Sequence, residues 1–350
     1  YSQQLIAWYN INKRDLPWRQ TANAYHIWLS EIILQQTRVA QGLDYYLRFL
    51  EAFPTVQSLA NAPEDEVLKL WQGLGYYSRA RNLHAAAKHI VQKFGGNFPS
   101  DYQDVLSLKG VGEYTAAAIC SFAYNLPYAV VDGNVFRVLS RLFGIEKPID
   151  STKGKKEFSD LASKLLDSTQ ASIHNQAIME FGALQCTPRQ PDCFSCVLQA
   201  KCWAYAHKAV EVLPVKEKKT KVSARYFNYI VFRTPSFIFL NKRKSNDVWK
   251  NLYEFPLIET EESVDLSVLI QMPSFKSMTK TCSKPSFTSF VPFEVKHVLS
   301  HQIIYAKCYV LDIAEGERPD GDFIQIPIAD LKKYPVSRLT EIFQKKMAIF

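Results

Sequence analysis

Apolar positions recur every three to four residues through roughly the first two hundred residues, and the texture changes after about position 224. Ile27–Phe53, Pro63–Gly73, Ser78–Phe94, Tyr114–Tyr124, Asn134–Phe143 and Lys155–Leu166 each carry the spacing that puts apolar side chains on one face of a helix. Gly73-Leu74-Gly75, Gly95 to Pro99 and Asp132-Gly133 punctuate them. Leu213–Lys221 is basic and poor in large apolar residues, as linkers are. Beyond it, Tyr226–Phe232, Phe237–Leu240 and Ile303–Asp312 are rich in aromatic and β-branched residues and read as strands, while Ser263–Gln271 and Ser337–Met347 read as helices. The pattern predicts an all-α domain over 1–207, a linker over 208–223 and a mixed α/β domain over 224–350. There is no internal repeat or low-complexity segment.

A length of 350 residues fits two cores better than one. The 47% hydrophobic content is that of a folded protein, no apolar run is long enough to span a bilayer, and Tyr1–Asn10 lacks a secretory pattern, so no membrane partner is expected. The chain starts on Tyr rather than Met, as a trimmed or processed N-terminus would. A net charge of +8 is compatible with an anionic partner but is too common to identify one.

Charge says less than the cysteines do. Of seven, Cys120, Cys282 and Cys308 are scattered, and four follow the spacing Cys186-x6-Cys193-x2-Cys196-x5-Cys202. Four thiolates so close in sequence can wrap one metal centre in a reducing compartment, whereas four free thiols there would oxidise. A zinc ion and an iron–sulfur cluster both suit this donor set, and spacing alone does not separate them. Arg189 and Lys201 in the same loop are positioned to reach a phosphate, although a lone basic residue on a loop is commonly just solvated.

Leu106–Ile119 joins two helical patterns through Gly110 and Gly112. Glycines there permit backbone shapes and close approaches that a Cβ would block, and the free N–H groups of the helix that follows attract an anion. A DNA phosphate is such an anion, and its capture would be independent of base sequence. Two acids stand out. Glu31 lies inside the apolar run Ile27–Leu34, where desolvation would raise its pKa and keep it protonated as a general acid, although most helical glutamates simply face water. Asp132 precedes the Val135–Leu142 helical face as an N-cap, a role that would also hold it ionised. A protonated acid and an anionic carboxylate are what cleavage of a sugar–base bond requires, one to protonate the departing base and one to stabilise the cationic sugar.

With these residues, Leu16-Pro17-Trp18-Arg19, Ser30 to Thr37, Gly73 to Tyr77, the Gly110–Gly112 hairpin, Val131 to Val135 and the four cysteines fall in the order found in the endonuclease III superfamily, and the chain resembles its MutY-type adenine DNA glycosylases. The resemblance implies removal of adenine opposite 8-oxoguanine or guanine in duplex DNA. Bifunctional relatives carry a lysine where this chain has Tyr114, so no Schiff base can form there and a monofunctional enzyme is expected. Glu31 is implied as the acid and Asp132 as stabiliser or transient nucleophile, with Tyr114 and Asn134 positioning them. Trp18, Arg19, Leu34 and Gln176 are implied to line the adenine pocket, and Gln36 and Tyr76 to fill the base stack after flipping. The cysteines become ligands of a [4Fe–4S] cluster. Residues from about Ala224 resemble the Nudix-like C-terminal domain of the same enzymes, with Asp247–Pro256 carrying the likeness. The metal-binding glutamate run of a pyrophosphatase is missing, so this domain is expected to bind rather than hydrolyse. Leu299-Ser300-His301 matches the lesion-probing loop, with Leu299 where Phe is frequent, so a stacking role for that residue is not implied. The expected protein is a monomer, cytoplasmic and nucleoid-associated if bacterial. The competing readings are a bifunctional lyase and a catalytically inactive damage-binding protein.

Overall fold

The computed structural model describes residues 1–217, 222–289 and 292–347. The chain divides into two compact units, 1–61 with 82–219 and 62–81 with 220–350. The second unit thus takes in a segment that sequence order assigns to the helical region.

In the first unit, α1 (Ser2–Asn12), α2 (Ala24–Leu34), α3 (Val39–Ala52) and α4 (Val56–Asn61) are followed by α5 (Glu64–Trp71) in the second unit and by α6 (Ser78–Phe94), within which the chain returns to the first. Then come α7 (Tyr102–Leu106), α8 (Glu113–Tyr124), α9 (Gly133–Phe143), α10 (Thr152–Leu165), α11 (Ala171–Leu184) and the short α12 (Trp203–Ala206). The apolar run expected as one helix over Ile27–Phe53 is broken. Gln35 leaves helical backbone, Gln36 is left-handed at φ 56°, and Arg38 is extended as the N-cap of α3. Gly42 permits the resulting packing, since a Cβ there would sit 2.7 Å from Leu34 Cδ2. Helices α1 and α11 escape the sequence reading. The buried face of α11 includes His174, Asn175 and Glu180, and these polar residues disguise the apolar stripe.

The stretch over 208–217 is not a free tether. Leu213 is buried, its carbonyl accepts from Arg141 Nε at 3.1 Å, and Ile149 N donates to Val215 O at 3.0 Å. Of the rest of the expected linker, Lys218–Lys221 lie outside the described residues, and Ser223 already belongs to a strand.

The second unit is built on a mixed sheet. Its centre is the parallel pair β1 (Ser223–Arg233) and β7 (Gln302–Asp312), in register from Ser223↔Gln302 to Arg233↔Asp312. Antiparallel partners flank them: β2 (Phe237–Lys242) and β4 (Leu257–Thr260) on β1, β6 (Phe293–Val298) on β7, with the short β3 (Tyr253–Glu254), β5 (Ser286–Phe287) and β8 (Ile324–Pro327) at the margins. Both faces are covered, which is why the central strands read as nearly continuous apolar runs. Leu269 of α13 (Leu266–Leu269) and Phe275 of α14 (Pro273–Thr279) pack with Ile230, Phe232 and Tyr309, while Leu339 and Phe343 of α15 (Arg338–Lys346) pack with Phe227, Tyr229 and Val231. Segment 62–81 is tied in by polar contacts: Asp65 bonds Lys242 Nζ and Tyr253 Oη, each at 2.7 Å, and Glu64 accepts from Asn251 at 2.5 Å.

Candidate active site

A cavity of about 560 Å³ opens in the helical unit, lined from α2, the 35–39 bend, α8, α9 and α11. Asn23 starts α2 by accepting from Tyr25 N and His26 N, which sets the rotation that turns Glu31 inward. Glu31 is buried, and its pKa is pushed up to about 7 by desolvation, against a hydrogen bond from Tyr114 and with the nearby Asp132 carboxylate adding to the rise. The Tyr114 phenol stays protonated, because burial and both carboxylates oppose its ionisation. Tyr114 therefore donates to Glu31.

Asp132 caps α9 as its position implies. Its Oδ1 accepts from Val135 N at 2.8 Å and Asn134 N at 2.9 Å, and Oδ2 accepts from Asn134 Nδ2 at 2.8 Å. Burial still raises its pKa above the ordinary aspartate value, against these bonds and the charge of Arg137. Three N–H donors and a guanidinium nevertheless favour its anion, whereas Glu31 has one hydroxyl. A proton shared by the pair therefore belongs on Glu31. Asn134 is held in turn by Arg137 Nη2 at 2.8 Å, and a Cβ on Gly182 would come within 2.7 Å of the Asn134 Cβ.

Trp18, Arg19, Leu34, Gln36 and Gln176 line the same cavity. Trp18 meets Tyr46 edge-on at 5.2 Å, and Gln176 accepts from Tyr9 Oη at 2.8 Å. The sequence reading did not include Arg14 and Glu180. Glu180 is buried, and despite that burial its pKa is lowered to about 2 by paired bonds from Arg14 and Arg19, the closest at 2.6 Å. It thereby fixes two guanidinium groups at the cavity wall. The available signal was Gln176-x2-Met179-Glu180-x2-Ala183, one helical face, all four of which line the cavity.

At the hairpin the two glycines differ. Gly110 is left-handed at φ 82°, and a Cβ would meet the Asn82 Cβ at 2.8 Å. Gly112 does not need glycine for its backbone: it is an N-cap at φ −100°, with nothing within 4 Å of a Cβ. What it supplies is open space above the start of α8, where no side chain caps the first N–H groups.

The four cysteines share one small cavity of about 30 Å³ with Arg141. Arg141 Nη1 donates to Cys186 Sγ at 3.4 Å, and Arg137 Nε to the Cys186 carbonyl at 2.7 Å. Burial and then the neighbouring thiols raise Cys193, so these sulfurs lie within electrostatic range of one another. Among the described residues, no group of three or more His, Cys, Asp or Glu side chains is set to hold a single metal ion.

Tyr76, Ser300 and His301 are not part of the Glu31 cavity. They line a second cavity of about 360 Å³, within the second unit, together with Trp249 and Leu299. Ser300 and His301 sit in the tight turn between β6 and β7, closed by Leu299 N donating to Gln302 O at 2.8 Å. The Tyr76 and Ser300 hydroxyls are 2.5 Å apart, and Leu299 packs back against the sheet core.

Residues 29–165 match the family model of the HhH-GPD superfamily base excision DNA repair proteins, and residues 228–346 match a NUDIX domain model. A thermostable thymine-DNA glycosylase superposes with a TM-score of 0.55 at 29% identity, over 59% of this chain and 95% of that one. Endonuclease III in a non-covalent complex with DNA shares the fold at a TM-score of 0.52, with 23% identity, over 59% of this chain and 94% of that one. These matches define a helix-hairpin-helix base excision repair protein with a Nudix-like domain. The chain is 35% identical over 311 residues to the adenine DNA glycosylase of Buchnera aphidicola subsp. Baizongia pistaciae, spanning 87% of this chain and 84% of the relative. It is 44% identical over 214 residues to that of Mus musculus, spanning 59% of this chain and 42% of the relative. The chain belongs to the adenine DNA glycosylase family. It is a monofunctional hydrolase of N-glycosyl bonds that acts on DNA in base excision repair.

Proposed function

We propose that the substrate is adenine opposite 8-oxoguanine, or opposite guanine, in duplex DNA, and that the protein acts on it as a monomer. The observation that carries this is the placing of Glu31 and Asp132 on one cavity, with Tyr114 donating to Glu31 and Glu31 tuned to about 7. A flipped adenine fits between them. Glu31 protonates a ring nitrogen, which converts the base into a neutral leaving group. Asp132 then faces the sugar as positive charge develops, and stabilises it by field or by a transient bond. Afterwards the Glu31 carboxylate is placed to take a proton from the attacking water. Arg19, Trp18, Leu34 and Gln176 shape the pocket, and Gln36, on the same cavity, enters the space the base leaves in the stack.

The four thiols suit a [4Fe–4S] cluster: they are soft donors, they surround one cavity, and two arginines of α9 grip the loop that carries them. The cluster would supply structure to this loop, and no step of base release passes through it. In a bacterium the protein would be cytoplasmic and nucleoid-associated.

Single-turnover adenine release from duplexes holding adenine opposite 8-oxoguanine, guanine or thymine tests the reading. Fastest release opposite 8-oxoguanine and none opposite thymine is expected. Equal rates on all three would refute it.

A further inference from the structure

Trp249 occupies a conformation that few tryptophans adopt. It is left-handed at φ 61°, and Asn251 two residues on is left-handed at φ 66°. Neither is glycine, and such backbone persists only where the surroundings over-determine it. Here they do. Asp247 receives both Nη groups of Arg225, at 2.9 and 2.8 Å, and Arg243 Nη2 at 2.7 Å, while also accepting from Val248 N at 2.7 Å. Arg243 is itself buried against Glu254. Arg81 Nη1 donates to Lys250 O at 2.8 Å, and Asn251 N to Arg243 O at 2.8 Å. The loop is thus clamped on both sides of residue 249.

The clamp presents the indole to the cavity of about 360 Å³ that holds Tyr76, Ser300 and His301. Its ring meets His297 at 5.6 Å and Phe227 at 6.4 Å, both at steep interplanar angles. His297 lies on β6, one residue before the Val298↔Ile303 pair that opens the probing turn. Burial lowers the pKa of His297, which keeps that contact uncharged. Trp249 therefore abuts the stem of the turn that carries Ser300 and His301.

We infer that Trp249 is a specificity-determining positioning residue: it forms the aromatic wall of the second cavity and fixes the turn so that the Ser300 hydroxyl and His301 imidazole meet the edge of the oxidised purine. This inference rests on the proposed recognition of 8-oxoguanine. Polar groups discriminate between a base and its oxidised form only if they are held in place, because a loose hydroxyl adapts to either.

The experiment measures single-turnover adenine release opposite 8-oxoguanine and opposite guanine, for the wild type, W249L, W249F and S300A, with folding checked by thermal melting. The wild-type rate ratio is expected to exceed one. W249L, which keeps apolar bulk but lacks a ring, should lower that ratio on the order of tenfold, and W249F should restore most of it. Because Trp249 acts through the turn, W249L in an S300A background should add little to the loss caused by S300A. A wild type without preference would overturn the 8-oxoguanine reading, and this inference with it. A discriminating wild type with an unchanged ratio in W249L, or with both rates reduced by one factor in W249L and W249F, would overturn the role of Trp249 alone.

Discussion

The cavity of the helical unit is lined by three carboxylates, Glu31, Asp132 and Glu180, and two arginines, Arg14 and Arg19. The cavity of the second unit is lined by Tyr76, Trp249, Ser300 and His301, and the acid on its wall, Asp247, is already engaged by Arg225 and Arg243. In the first, burial is turned on ionisable groups and shifts when they hold a proton. In the second, ionic groups serve as scaffolding, and hydroxyls and rings line the void. Bond cleavage needs groups whose charge can change, whereas recognition of a base edge needs donors and acceptors whose position cannot.

The sharpest way to break this contrast is E31Q. It keeps the shape and removes the transferable proton, so adenine release should fall on the order of 10³-fold while duplex affinity stays within a few-fold. Quenched-flow base release and fluorescence anisotropy measure the two effects. An active E31Q would mean that the proton comes from elsewhere. D132N should cost somewhat less, on the order of 10²-fold in the same assay, because it removes the field on the sugar but leaves the acid.

The pH dependence sharpens the same point. Glu31 titrates at about 7 from an ordinary value of 4.5, so release should be flat below neutrality and fall as pH rises through 7 and the proton donor is lost. The folded protein holds that proton to higher pH than the unfolded chain does. Its contribution to stability is therefore complete below about 4.5 and is lost progressively as pH rises through about 7, to the extent of roughly 3 kcal/mol for this shift. E31Q has no such loss and should be the more stable protein at pH 8, with a smaller difference at pH 5. Denaturant unfolding at both values tests it. An E31Q less stable than wild type at pH 8 would contradict the burial that tunes the acid.

How much of this was legible beforehand follows the same division. Glu31 and Asp132 could be picked out because an acid in an apolar run and an Asp before a helical face are local signals. Glu180 gives a weaker signal: it shares a helical face with Gln176, Met179 and Ala183, but its role comes from Arg14 and Arg19, more than 160 residues away in sequence. The strands of the parallel pair were visible as apolar runs, but their register, which sets Ser223 beside Gln302 and Arg233 beside Asp312, is a long-range property. The membership of 62–81 in the second unit was hidden for the same reason. Its helical period was plain, and only the bonds from Asp65 and Glu64 to Lys242, Tyr253 and Asn251 reveal what it packs against.

The smallest effect is expected at the hairpin, where two glycines that look alike in sequence should separate. Gly110 is left-handed and lies against Asn82, so G110A must strain the backbone and displace a side chain. It should destabilise the fold by about 1–2 kcal/mol and lower the melting temperature. Gly112 is extended with open space around it, so G112A costs the fold little, yet its methyl occupies the approach to the free N–H groups of α8. Duplex affinity should then drop several-fold, equally for damaged and undamaged sequence, because a phosphate carries no base information. Melting curves and anisotropy titrations on two unrelated duplexes distinguish the cases. If G112A bound both duplexes as tightly as wild type, the start of α8 would not be a phosphate site, and DNA would have to be held through other groups.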